Sequence, residues 1–284
     1  MDDVRPNAAD EDTSAAPDKE RAGIQSVEVG FALLEVLAHA NGPLMLRDLA
    51  AAADMSAAKA HRYLVSFQRL GLVMQDAAST RYDLGPASLR LGLAALSRLD
   101  AVQMGRERIG TLLAQIGHTV ALAVWGNHGP TIVHWQESPL AVPVNLRLGD
   151  VMPLLTSATG RCFAAHISPD RTLGKVQPMM AQELQRLQSL PQGHNRPDVP
   201  QTLADVEALL AEVRQRGAAR VVNTLLPGIV GFCAPVFDSD GHMALGMVAL
   251  GSAATFDAAW GGTVEAPLRA VAEQLSRDLG YRGA

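Results

Sequence analysis

The dominant hydrophobic period of this chain switches at Gly117-His118, and that switch separates two differently built parts. Before it, apolar residues recur at the three-to-four spacing of helices. After it, short runs alternate at the two-residue spacing of strands. In the first part, Val27, Phe31, Leu34, Leu37 and Ala38 predict a helix that stops at Asn41-Gly42-Pro43. Leu44-Met45-Leu46 leads into a second helix over 47–53, with Leu49 and Ala50 inward. Asp54-Met55 turns the chain, and Ser56 is expected to cap a third helix over 57–70, its hydroxyl accepting an N–H of the first turn. The apolar face of that helix is Ala60, Leu64 and Phe67, while Lys59, His61, Arg62 and Arg69 point the other way. Gly71 ends it. Leu72-Val73-Met74 and Arg81-Tyr82-Asp83-Leu84, joined by a turn over 76–79, predict a β-hairpin. The order is helix, helix-turn-helix, then a two-stranded wing.

Gly85-Pro86 opens a further helix with Leu89, Leu93, Leu96 and Leu99 on one stripe. We expect it to act as a linker and dimerisation helix over 86–104. It should continue, after a break, through Met104, Ile109, Leu112, Leu113 and Ile116. Beyond Gly117, strands are expected at 119–125, 131–137, 141–147, 218–224, 231–238 and 243–250, and helices at 159–167, 179–188, 203–216 and 263–279. Six strands with interspersed helices place this part in the α+β class. A length of 284 residues accommodates two such domains, a winged helix-turn-helix over 24–85 and a larger domain over 105–284.

A net charge of −5 argues against a nucleic-acid coat only until it is localised. Residues 1–21 hold seven acids against three bases and no apolar period, so residues 1–23 are expected to form a disordered acidic tail. From Leu44 to Arg98, seven bases face four acids, a local charge of +3. A helix-turn-helix sets the start of its second helix in the major groove, where long donors meet guanine edges or phosphates and small residues allow close approach. The DNA-contact candidates are therefore Arg47, Ser56, Ala57, Lys59, His61 and Arg62, with Arg81 on the wing for the minor groove or backbone.

Other features set exclusions. Aromatic content of 4% leaves no base-stacking platform. Cys162 and Cys233 lie far apart, without zinc spacing, and are expected to be small buried hydrophobes. Trp125, Trp135 and Trp260 are expected in the core. No apolar run spans a membrane and the acidic N-terminus has no signal-peptide core, so a cytoplasmic protein without a membrane partner is expected. No G-x-S-x-G elbow, phosphate loop or metal-spaced His/Glu pair is present, so no catalytic residue, metal or cofactor is expected. On residues alone three functions stay open. They are a ligand-responsive DNA-binding regulator, a redox enzyme or sensor using Cys162 and Cys233, and a winged-helix adaptor that binds a protein.

The stretches MLRDLAAAADMSAAKAHRYLVSFQRLGLVMQD and RYDLGP resemble the IclR family of bacterial transcription regulators. So do GRCFAA after a Pro-Leu loop, RGAARVVN and GFCAPVFDSDGHMALGMVALG, in the same order and spacing, from about Ile24 to the C-terminus. The resemblance implies a winged helix-turn-helix, a linker helix and a GAF-like effector domain with a mainly antiparallel sheet. It also implies a homodimer or homotetramer on pseudo-palindromic double-stranded operator DNA, with half-sites about 10 bp apart or a multiple of that. One departure stands in the recognition helix. The family commonly has Pro-Lys-Ser-Thr before a His-Arg pair, whereas this chain has Ser56-Ala57-Ala58-Lys59 before His61-Arg62. A different operator sequence is expected.

The resemblance further implies an effector site at Ser157, Ala158, Thr159 and Gly160, with the amides of Ala158 and Thr159 facing a ligand carboxylate. Members sensing small keto acids carry an Asp, a Cys and two Ser on later strands. Those positions fall here on Val221 or Val222, Gly231, Val248 and Leu250. A small polar acid would leave its buried oxygens unmet there, so an aromatic or hydrophobic acid, and a catabolic operon under its control, are expected. Asn223, Arg220, Arg147 and His134 are additional polar candidates.

Overall fold

The computed structural model describes residues 23–96, 98–139, 146–172, 174–189 and 198–283. Residues 1–22, most of the expected tail, lie outside that set. The chain divides into two compact units, one ending at Ser97 and the other beginning at Arg98.

The first unit runs α1 (Gln25–His39), α2 (Leu46–Ala52), α3 (Ala57–Arg69), β1 (Val73–Gln75), β2 (Tyr82–Leu84) and α4 (Pro86–Leu96). β1 and β2 pair antiparallel, Val73 opposite Leu84. Leu33, Leu37, Leu49, Ala50, Ala60, Leu64, Val73 and Tyr82 form its core. The buried face of α1 is Gly30, Leu33 and Leu37, whereas Val27 and Phe31 are 64% and 54% exposed. The reason is close packing at Gly30, where a Cβ would stand 2.9 Å from Tyr63 Cδ1 of α3. That contact rotates α1 so that the Val27/Phe31 edge faces away. Gly85 is similarly demanded, since a Cβ there would lie 2.3 Å from Gly71 O, where the wing's exit crosses the end of α3.

The second unit runs α5 (Ala101–Ile116), β3 (Thr119–Gly126), β4 (Gly129–Gln136), α6 (Ala158–His166), α7 (Pro169–Thr172), α8 (Val176–Gln188), α9 (Leu203–Arg216), β5 (Ala219–Val222), β6 (Ile229–Phe237), β7 (Met243–Ser252) and α10 (Glu265–Asp278). Its sheet has the order β4-β3-β7-β6-β5 with every pair antiparallel. Among the described residues the sheet has five strands, against the six expected. Of the missing strand, residues 141–145 lie outside the described set, and Leu146 and Arg147 are not in a strand. α5 and α10 cover one face, with Ile109, Leu112, Val120, Leu122, Phe232, Leu245, Met247, Leu268 and Leu275 between them. α6 covers the other, over Ala121, Ala123, Ile132, Val221, Cys233, Val248 and Leu250. α8 and α9 form a further cluster with Leu154 and Leu155.

The break expected in the helix that opens at Pro86 falls between Leu96 and Ala101, and the two helices belong to different units. Asp100 is the physical cause. Its Oδ1 accepts the Val102 and Gln103 N–H groups at 2.9 and 3.1 Å, starting α5 afresh. Gly117, at φ 71°, ends α5 in the left-handed conformation that favours glycine, and β3 begins two residues later. Among the described residues, no helix is long and apolar enough to cross a membrane.

Candidate functional sites

α3 begins at a formed cap, with Ser56 Oγ accepting the Lys59 N–H at 3.3 Å. Its buried residues are Ala60 and Leu64, which fix the helix against α1 and α2. The periodicity then sends Ala57, Lys59, His61 and Arg62 outward, and all four are exposed. Two other basic candidates are held differently. Arg47 pairs with its neighbour Asp48 at 3.3 Å while remaining 91% exposed. Arg81 donates from Nη1 to Pro43 O at 3.1 Å, so its guanidinium ties the wing to the turn before α2 instead of extending from the wing tip. Sequence spacing alone held no signal for that tie.

In the second unit, the residues singled out at 157–160 form the start of α6. Ser157 caps it, accepting the Gly160 N–H at 2.8 Å and donating to Pro153 O at 2.7 Å. Its hydroxyl is thus committed on both sides. Gly160 is required by close approach, for a Cβ there would stand 1.9 Å from Pro153 O. The N–H groups of Ala158 and Thr159 are the first two of the helix and cannot reach an intrahelical carbonyl. Opposite them lies one face of the sheet. Val221 pairs with Gly231 and Gly231 with Leu250, making one cross-strand row. Cys233, Val248 and Ala121 make the next. Val221, Val248 and Leu250 are each 5% exposed. At Gly231 the three atoms nearest a notional Cβ belong to the sheet itself, at 3.4, 3.7 and 3.9 Å. At Gly246, by contrast, Cys233 Sγ at 2.9 Å and Phe163 at 3.2 Å already fill that space. A Cβ would therefore clash at Gly246 but would meet only ordinary contacts at Gly231.

The additional polar candidates do not join this face. Arg220 alternates with Val221 and projects to the other side, donating to Ala258 O at 2.9 Å and stacking on Trp260 at 4.9 Å. His134 lies beside Arg106 of α5, and burial, then that charge, lowers its pKa. Arg147 is exposed. Asn223, at φ 58°, is exposed, and its Oδ1 accepts the Gly228 N–H at 2.7 Å, which makes it a turn residue.

Two charged residues that the sequence pattern did not flag shape the region. Glu183 of α8 accepts the N–H groups of Leu154 and Leu155 at 2.7 and 3.2 Å and the Thr156 hydroxyl at 3.2 Å. Arg161 of α6 is 2% exposed and bound to three separate segments. Both are charges spaced among apolar residues, which sequence reading assigns to a solvated face. Asp238, Asp240 and His242 stand within 4.8 Å of one another, but Asp238 Oδ1 already accepts two turn N–H groups and Oδ2 binds Arg171. Cys162 and Cys233 are free and fully buried, and burial pushes the Cys162 thiol well up, away from the reactive thiolate.

A winged helix-turn-helix with an exposed basic helix, followed by an α+β domain, defines the class as a DNA-binding transcriptional regulator. Comparison with known proteins agrees over both units. The IclR helix-turn-helix domain matches residues 26–77, and the bacterial transcriptional regulator IclR C-terminal domain matches residues 93–277. The chain belongs to the IclR family of bacterial transcriptional regulators. It is 30% identical to the glycerol operon regulatory protein of Streptomyces coelicolor over 90% of this chain and 97% of that one. It is 26% identical to the DNA-binding transcriptional repressor YiaJ of Escherichia coli over 94% and 92%. The crystal structure of Pseudomonas aeruginosa HmgR superposes with a TM-score of 0.79 at 34% identity, covering 92% of this chain and 100% of that one. These relatives are regulators, not enzymes, and the enzyme and adaptor alternatives fall away.

Proposed function

We propose that this regulator answers to an aromatic or other hydrophobic carboxylic acid and controls a catabolic operon, working in the cytoplasm as a homodimer or homotetramer. The observation that carries the reading is the pairing of two unlike surfaces. The amides of Ala158 and Thr159 suit a carboxylate, and the Val221–Gly231–Leu250 row with Val248 suits an apolar body. A keto acid would present oxygens to that row with no donor to meet them. In this reading Ser157 and Gly160 shape the helix start and do not grip the ligand. Asn223 acts through its turn.

On the DNA side, Lys59, His61 and Arg62 read the major groove, Ala57 allows close approach, Ser56 holds the helix start, and Arg47 meets the backbone. Arg81 braces the wing. Assembly is supported by the exposed leucines of α4, with Leu89, Leu91 and Leu93 at 63%, 63% and 55% exposure. The acid shifts occupancy of the operator by binding two states of the domain unequally.

The test is a thermal-shift screen with benzoate, phenylacetate, 3-phenylpropionate, acetate, pyruvate and glyoxylate. Aromatic acids should raise the melting temperature in proportion to binding. Stabilisation by pyruvate or glyoxylate with none by the aromatic acids overturns the reading.

A further inference from the structure

Arg161 is the one buried Arg or Lys among the described residues, and a buried guanidinium is unfavourable unless its donors are met. They are met by four groups. Nε donates to Leu155 O at 2.8 Å. Nη1 donates to Asp198 Oδ2 at 2.9 Å and to Arg220 O at 3.0 Å. Nη2 donates to Asp198 O. Asp198 Oδ2 also accepts the Thr224 hydroxyl at 2.7 Å. Thr224 itself is 2% exposed.

The chain positions of these partners give the cluster its meaning. Leu155 lies on the loop that enters α6, and Arg161 itself lies in the first turns of α6. Arg220 O belongs to β5, which among the described residues is an edge strand whose outer carbonyls have no ladder partner. Thr224 follows β5, and Asp198 precedes α9. One guanidinium therefore joins the start of α6, which carries the Ala158 and Thr159 amides, to β5, which carries Val221.

We infer that Arg161 is a positioning residue for the effector site, held in turn by Asp198 and Thr224. It does not touch the ligand. It sets the spacing between the amides that meet the carboxylate and the row that meets the apolar body, so both ends are satisfied at once. Donor geometry tolerates little displacement, so loosening the clamp weakens carboxylate recognition before apolar contact. The inference rests on the acid-binding reading.

The experiment uses the full chain, with Thr224→Val and Asp198→Asn as the variants because each leaves the Arg161 side chain in place. Binding of benzoate, phenylacetate and 3-phenylpropionate is compared with binding of the three matching primary amides. Wild type should prefer each bound carboxylate to its amide. Both variants should lose about tenfold in carboxylate affinity, one good hydrogen-bond geometry lost, while affinity for the amides stays within about twofold. Operator affinity without acid should not change. A merely structural role predicts equal weakening of acid and amide, and that result overturns the inference. So does unchanged carboxylate binding in both variants, which leaves the acid-binding reading standing. Absence of binding by all three carboxylates to wild type overturns both.

Discussion

Glu183 on α8 accepts the backbone N–H of Leu154 through Oε2 at 2.7 Å, across 29 residues of chain. With Leu155 N–H and the Thr156 hydroxyl on Oε1, the carboxylate closes the loop just ahead of α6. A glutamine there keeps the shape but offers one acceptor oxygen in place of two, and turns an N–H toward a donor. Glu183→Gln should therefore lower unfolding free energy by about 1–3 kcal/mol, the cost of leaving charge-assisted bonds unmet. It should also weaken binding of phenylacetate. Urea unfolding followed by far-UV circular dichroism checks the first outcome, and an unchanged midpoint would reject the role given to Glu183.

Two glycines of the same region should behave in opposite ways. A methyl at Gly160 meets Pro153 O at 1.9 Å and Leu154 Cα at 2.5 Å, both backbone atoms that cannot swing aside. Gly160→Ala should cost about 3 kcal/mol or more, since the loop and α6 must separate. At Gly231 a methyl meets ordinary contacts, so Gly231→Ala should fold with nearly wild-type stability. Gly231→Leu should place a bulky side chain on the row proposed to meet the apolar body and abolish binding of aromatic acids while operator binding persists. Calorimetric melting and acid titration of the three variants would expose an error in either assignment.

The basic residues of the first unit should separate by role. Lys59 and Arg62 project from α3 into solvent, whereas Arg81 is turned back to Pro43. Arg62→Ala and Lys59→Ala should each weaken operator binding by about 1–3 kcal/mol, and any that meets phosphate should reduce the salt slope by about one. Arg81→Ala should lower the stability of the winged unit more than it lowers the salt slope. Electrophoretic mobility shifts at several salt concentrations, beside melting curves, separate the two. Equal loss of DNA affinity without loss of stability in Arg81→Ala would refute the brace.

Much of this architecture was legible because the signals were local. The Ser56 cap, the stop at Gly71 and the wing turn each depend on neighbours a few residues away, and the strands of the larger domain declare themselves by alternation. The α6 start was legible in the same way, since Ser157 caps it locally. What escaped was set by contacts between distant segments. Gly30 against Tyr63 decides which edge of α1 is buried, and no helical periodicity reports that contact. Arg220 and His134 were drawn toward the ligand face by their chemistry, but strand alternation sends Arg220 to Trp260 and packing sets His134 beside Arg106. Glu183 and Arg161 gain their meaning only from loops that close on them.

A pH dependence follows from His166, near the end of α6. Its ring stands edge-on to Phe237 at 5.5 Å, and its Nε2 is buried with no hydrogen-bond partner among the described residues. Burial, then the charge of Arg214, holds its pKa down at about 4, against 6.5 for an ordinary histidine. Between those values the unfolded chain binds a proton that the folded chain refuses. Stability from this residue is thus complete above pH 6.5 and is lost as pH falls toward 4, at up to about 1.4 kcal/mol per pH unit. His118 acts in the same direction, since burial lowers its pKa too. His166→Phe removes the titrating group and keeps an apolar ring against Phe237. Urea midpoints measured at pH 7.5, 6.0 and 5.0 should fall steeply for wild type and less steeply for His166→Phe. Parallel decline in the two proteins would show that His166 is not the group being protonated.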